Sequence, residues 1–179
     1  MKSARVLRAV ALLGVTVCTT RASHAQDAPL RVLGYTTTVP ATWITHAAAS
    51  TMRLAEYSVG PSVPGAQVVV YFFGQGQGGA VAPNMARWKS QFSNPDGSAV
   101  EEIVVRDTTG AFPITFAEYR GTYARGVGAG NAANAQPNQT LIAGIAETPR
   151  GTLFIQLFGA SAHVASARKD FVGFVRGLH

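Results

Sequence analysis

Six apolar residues in succession, Val68 to Phe73, follow Gly65 and stop at Gly74 to Gly79, where four of six positions are glycine. An unbroken apolar run of that length predicts a strand covered on both faces. After the glycines the period changes. Met85, Trp88 and Phe92 recur at helical spacing, and Pro83 suits a first turn, where a missing N–H costs nothing. Asn84, Arg87 and Gln91 form a polar stripe along the flank of the same predicted helix. Asn94-Pro95-Asp96-Gly97 is then a strong stop and turn.

Alternation predicts the other strands. Arg31 to Val39 reads as one β-rich segment ending at Pro40. Along Thr51 to Val59, Met52, Leu54 and Glu56 face one way and Arg53, Ala55 and Tyr57 the other. Ser58 to Gly65, with two prolines and two glycines, reads as a loop. Ala99 to Arg106 and Phe112 to Tyr123 are two more strands around an Asp107–Gly110 turn, with Phe112, Ile114 and Phe116 on one face. Ala124 to Asn138 is rich in Gly, Ala and Asn without periodicity, which predicts a long hairpin loop. Gln139 to Glu147 and Thr152 to Phe158 form a hairpin closed by Thr148-Pro149-Arg150-Gly151. Val164, Ala167, Phe171, Val175 and Leu178 mark Ser161 to Leu178 as an amphipathic closing helix. The order β-β-β-α-β-β-β-β-α predicts an α+β sandwich: a largely antiparallel sheet of about seven strands covered by two helices.

The start of the chain reads differently. Lys2, Arg5 and Arg8 precede an apolar core, Ala9 to Val17, too short to span a bilayer, and Ser23-His24-Ala25 supplies small residues before Gln26. This predicts a signal peptide over residues 1–25 and one domain over 26–179, periplasmic or secreted. A lipoprotein anchored through Cys18 is the alternative. Cleavage would remove the only cysteine and four of the 15 basic residues, leaving 11 against nine acidic ones. The overall charge of +6 therefore belongs largely to the leader and makes no case for nucleic acid or a membrane surface. No stable membrane insertion is expected after cleavage.

The strand–helix order, the early Pro40-x-x-Trp43 and the closing helix resemble the PsbP-like and Mog-like α/β sandwiches, which include periplasmic DcrB-like proteins. Met52-Arg53-x-Ala55-x-Tyr57 followed by Gly78-Gly79, Asn84, Arg87-Trp88 and Gln91-Phe92 is similar to a group of secreted bacterial proteins of unknown function. The fold resemblance implies a binding or assembly factor and transfers no site residue.

Candidate chemistry is sparse. Gly74-x-Gly76-x-x-Gly79 matches a dinucleotide fingerprint, but Asp96 lies in a turn, Glu101 starts a strand, and parallel βαβ repeats are missing. A conformational glycine turn is the simpler reading. Ser166-x-x-Lys169 lacks the companion motifs of penicillin-binding enzymes, and no Gly-x-Ser-x-Gly elbow occurs. His46, His163 and His179 are scattered without ligand spacing, and Glu101 and Glu102 point to opposite faces of a strand. No catalytic residue, metal site or cofactor is assigned. The candidate binding residues are Gly78, Gly79, Asn84, Arg87 and Gln91, because an arginine on a helix flank can fork onto a carboxylate or a backbone carbonyl. The competing reading pairs Arg87 with Glu56 or Glu118 to fasten the helix. Function divides the same way: a non-catalytic binding or accessory domain for a protein or small ligand, or a small-molecule binder or weak hydrolase built on the glycine turn and Arg87.

Overall fold

The computed structural model describes residues 28–59, 65–125 and 134–179. The predicted leader with Cys18, part of the Ser58–Gly65 loop and the middle of the Ala124–Asn138 loop lie outside the described residues. Within them the chain is α+β, and every sheet pairing is antiparallel.

Strands β1 (Ala28–Val32) and β2 (Tyr35–Val39) form a two-stranded hairpin. The sequence reading made this one segment. Leu33 and Gly34 take φ of 51° and 79°, which reverses the chain. β3 (Trp43–His46) is a further short strand not anticipated from alternation. β4 (Arg53–Val59) and β5 (Ala66–Tyr71) follow as expected.

Helix α1 (Val81–Lys89) carries Pro83 in its first turn but ends two residues before Gln91. Phe92 accordingly lies on a two-residue strand, β6 (Phe92–Ser93), rather than on the helix. β7 (Glu102–Asp107), β8 (Ile114–Tyr123), β9 (Gln136–Thr148), β10 (Gly151–Ala160) and α2 (Ser161–Arg176) complete the order. β9 begins three residues earlier than predicted. Tyr123 pairs with Gln136 across a register shift, and Asn138 adopts a φ of 53° beside it. Such an irregularity accommodates Pro137 in a strand. The count exceeds the expected seven because of these short or divided strands.

The main sheet runs β3-β4-β5-β10-β9-β8, with β6 and β7 sharing the outer edge of β8. Val68, Val69 and Val70 are each 1 % exposed or less, so β5 is covered on both faces as its sequence predicts. On one face Val68, Val70, Ile142, Ile155 and Leu157 meet the stripe of α2, including Val164, Phe171 and Val175. Burying a side chain of this size contributes roughly 1.5–3 kcal/mol. Polar contacts fix the same helix. Arg168 reaches the buried Glu118, Arg176 Nε donates to Asp107 at 2.5 Å, and Thr37 Oγ1 donates to the Phe174 carbonyl at 2.6 Å. Pro40-x-x-Trp43 is a turn closed by the Trp43 N–H on the Pro40 carbonyl, and the indole packs on Tyr57 and Phe174.

The other face is only partly covered. Nine-residue α1 lies over one end of it, with Trp88 and Phe92 against Tyr119, Leu141, Ile145 and Phe154. No second helix lies on that face among the described residues. Among the described residues no helix is long and apolar enough to cross a membrane.

Candidate functional site

The glycine turn positions α1. Gly74, Gly76, Gly78 and Gly79 all have positive φ, a region that costs little only for glycine. Gly78 is also sterically committed: a Cβ there would stand 2.8 Å from the Phe154 ring. This supports the conformational reading of the turn. The antiparallel pairing around it provides no parallel βαβ frame for a dinucleotide.

Asn84 does not sit on a polar flank, as the helical spacing suggested. It is 5 % exposed. Its amide donates to the carbonyls of Gly78 at 2.7 Å and Ala80 at 3.0 Å, and its oxygen accepts from Arg87 Nη2 at 2.8 Å. One side chain thus locks the turn to the helix and holds the arginine. Arg87 pairs with neither Glu56 nor Glu118. Glu56 binds Arg53 and the Ala49 N–H, and Glu118 binds Arg120 and Arg168.

Arg87 and Gln91 instead line a cleft beside α1, about 180 Å³ in volume. Its wall is aromatic. Tyr71 stacks on Phe73, and Phe154 meets Phe73 and Trp88 edge-on at 5.6 and 6.2 Å. Gln156 forms the floor at 8 % exposure, and its side-chain amide has no hydrogen-bond partner among the described residues. The amide is not among the fully buried unpartnered atoms, so water in the cleft can hydrate it until a ligand takes that place. On neighbouring strands Gln156 faces Val69 and Ala143, and Phe154 and Phe158 flank it along β10.

Arg125 continues the cleft on the far side. Its Nη2 donates to the Tyr71 hydroxyl at 3.0 Å, and its guanidinium lies 4.0 Å above the Phe158 ring. Tyr123 and Arg125 also border a second space of about 430 Å³, reached past Phe158 and lined further by Gln67 and Gln136. Burial pushes the Tyr123 hydroxyl above its ordinary pKa, with Arg125 pulling the other way. Among the described lining residues of both spaces none is acidic. Neither Arg87 nor Arg125 has a carboxylate within ion-pair distance among the described residues, although Glu56 feels Arg125 at longer range.

Tyr123 reaches this position through the irregular end of β8. Gly121, at φ 146°, packs so closely under Ser93 that a Cβ would fall 2.7 Å from the Ser93 carbonyl oxygen. Of the sequence-based candidates, Arg87 and Gln91 border the smaller cleft, while Gly78 borders an adjoining space with Phe73 and Arg87. Asn84 and Gly79 lie beneath as support. Tyr71, Phe73, Tyr123, Arg125, Phe154 and Gln156 were not anticipated. Only Gln156 left a visible signal, as the lone polar residue within Leu153 to Phe158.

Other reactive groups lie elsewhere. Ser166 Oγ donates to the His163 carbonyl on α2, which uses its hydroxyl structurally. His46 Nε2 and Ser58 Oγ lie 2.6 Å apart, and Glu56 beside them is engaged by Arg53 and the Ala49 N–H, so among the described residues no carboxylate hydrogen-bonds the imidazole. Among the described residues no three His, Cys, Asp or Glu side chains cluster as a metal site.

No family model matches the chain, and no curated protein matches it. Among solved structures it is similar to cyanobacterial PsbP (CyanoP) from Synechocystis sp. PCC 6803, at 15 % identity and a TM-score of 0.55, over 93 % of this chain and 98 % of that one. The fold is PsbP-like, as the resemblance implied.

Proposed function

We propose that the protein is an exported, non-catalytic binding domain, with residues 1–25 as a removable leader, residues 26–179 as one working domain, and the cleft beside α1 as its ligand site. The observation that carries the reading is the cleft itself: two arginines with no acidic partner among the described residues, set at the rim of an aromatic wall with the Gln156 amide on its floor. Concave, mostly apolar sites with a few convergent polar groups are where ligands bind. In this reading Arg87 contacts the ligand, with Gln91 beside it and with Gly78, Gly79 and Asn84 as its support. The PsbP-like fold is compatible with an accessory role and does not name a ligand.

Native mass spectrometry of protein purified from its own host tests this. A retained ligand is expected on the natural chain and not on the charge-reversed variant R87E/R125E, whose two changes lie at exposed positions. Equal retention by both would place the ligand elsewhere.

A hydrolytic reading has one observation in its favour, the His46–Ser58 contact. Without an orienting carboxylate the imidazole lacks the third group that makes such pairs efficient. A fluorophosphonate probe should leave Ser58 unlabelled; stoichiometric labelling lost in Ser58→Ala would establish hydrolysis instead.

A further inference from the structure

We infer that the cleft takes an aromatic carboxylate: one ring or two fused rings bearing a single carboxylate group. The inference rests on the binding reading above and names its ligand class.

Three features converge on it. The first is the wall. Phe73, Phe154 and Trp88 meet in edge-on contacts, and the 180 Å³ beside them is sized for a small planar body rather than an extended chain. Flat π-systems pack on such surfaces by offset or edge contacts.

The second feature is charge. Arg87 spends one N–H group on Asn84, and Arg125 spends one on Tyr71 while its plane rests on Phe158. Both guanidiniums are therefore held in place with donors to spare. A carboxylate matches the guanidinium fork with two parallel hydrogen bonds. A cationic ligand would meet two like charges and no acid on the described lining. A neutral hydrocarbon would leave both arginines unused.

The third feature is the floor. Gln156 lies between Val69 and Ala143 on the neighbouring strands, and its side chain lines the cleft. An occupant that displaces the water there has to replace the hydrogen bonds that water makes to the amide. A hydroxyl or ring nitrogen on the edge away from the carboxylate would satisfy it, with the carboxylate directed to the rim.

The experiment compares naphthalene-2-carboxylate with its uncharged carboxamide, by calorimetry and by the fluorescence of Trp88 in a Trp43→Phe background. The acid should bind about ten-fold more tightly, equivalent to ~1.4 kcal/mol. Arg87→Gln should weaken the acid more than the carboxamide and so narrow that preference, and adding Arg125→Gln should abolish it. Gln156→Leu, shown folded by its near-ultraviolet circular dichroism, should weaken hydroxyl-bearing 6-hydroxynaphthalene-2-carboxylate more than the unsubstituted acid. Equal affinities for acid and carboxamide would overturn the carboxylate assignment while leaving the cleft as the binding site. Absence of binding by every probe would overturn it as well. A ligand of another class retained by the host-purified protein, and lost in R87E/R125E, would then keep the cleft reading alone.

Discussion

Asn84 holds Arg87 at 2.8 Å while donating 2.7 Å away to the Gly78 carbonyl. The orientation of the arginine thus depends on a residue that is itself buried. Asn84→Ala removes the amide from beneath two carbonyls and should lower stability by about 1–3 kcal/mol. A urea titration measures this. An unchanged midpoint would mean that the glycine dihedrals alone hold the turn.

Trp88 is 3 % exposed and packs on Phe154. Trp88→Ala should cost about 3–5 kcal/mol, as large-to-small changes in a packed core do. Met85 is only half-buried, so Met85→Ala should cost visibly less. The ratio of the two midpoint shifts tests whether the indole is the anchor of α1.

Acid should weaken the attachment of α2. The Thr109 hydroxyl and backbone N–H, with Arg176, bring Asp107 from 3.8 down to about 2. A folded-state pKa below the unfolded one means that the unfolded chain binds the proton more readily. The stabilisation is therefore complete above about pH 4 and is lost as pH falls toward 2. Urea midpoints of the natural chain and of Asp107→Asn should differ near neutrality and converge at the acid end. A gap that stays constant with pH would exclude Asp107 as its source.

Shortening the connection between β8 and β9 should be tolerated only within limits. Arg125 and Gln136 border the larger space beside the cleft and Gln136 pairs with Tyr123, so both must stay. Replacing residues 126–133 with Gly-Gly should leave stability within about 1 kcal/mol, because closure entropy varies only logarithmically with length. Removing the full Ala124–Asn138 segment should instead destabilise the chain. Thermal and urea unfolding of the two deletions separate these cases.

Exported protein should begin at Gln26, given the basic start, short apolar core and small residues at Ser23 and Ala25. Intact mass settles the point: a mass retaining lipidated Cys18 would replace this expectation with the lipoprotein alternative.

Much of the fold was legible because single-face and double-face burial leave different periods. Val68 to Val70 and the Val164–Leu178 stripe announce their environments directly. Phe92 misled because helical spacing continues formally across Ser90, where the chain has already left α1 for a β pairing with Tyr123. Asn84 misled because a polar residue at flank spacing was assigned to solvent, when its partners are two carbonyls of the preceding turn. The cleft was the least legible part. Tyr71, Arg125 and Phe154 are far apart in sequence and meet only through the β5-β10 pairing and the Arg125 contact to Tyr71.

Along β10, Ile155 and Leu157 point into the α2 core while Gln156 between them points into the cleft. Adjacent codons there answer to opposite demands. A library varied at Gln156, Arg87 and Arg125, with Ile155 and Leu157 fixed, would test the proposed cleft while leaving the α2 core unchanged. On this reading, ligand preference could be varied by changes that leave the packed core beneath α2 untouched.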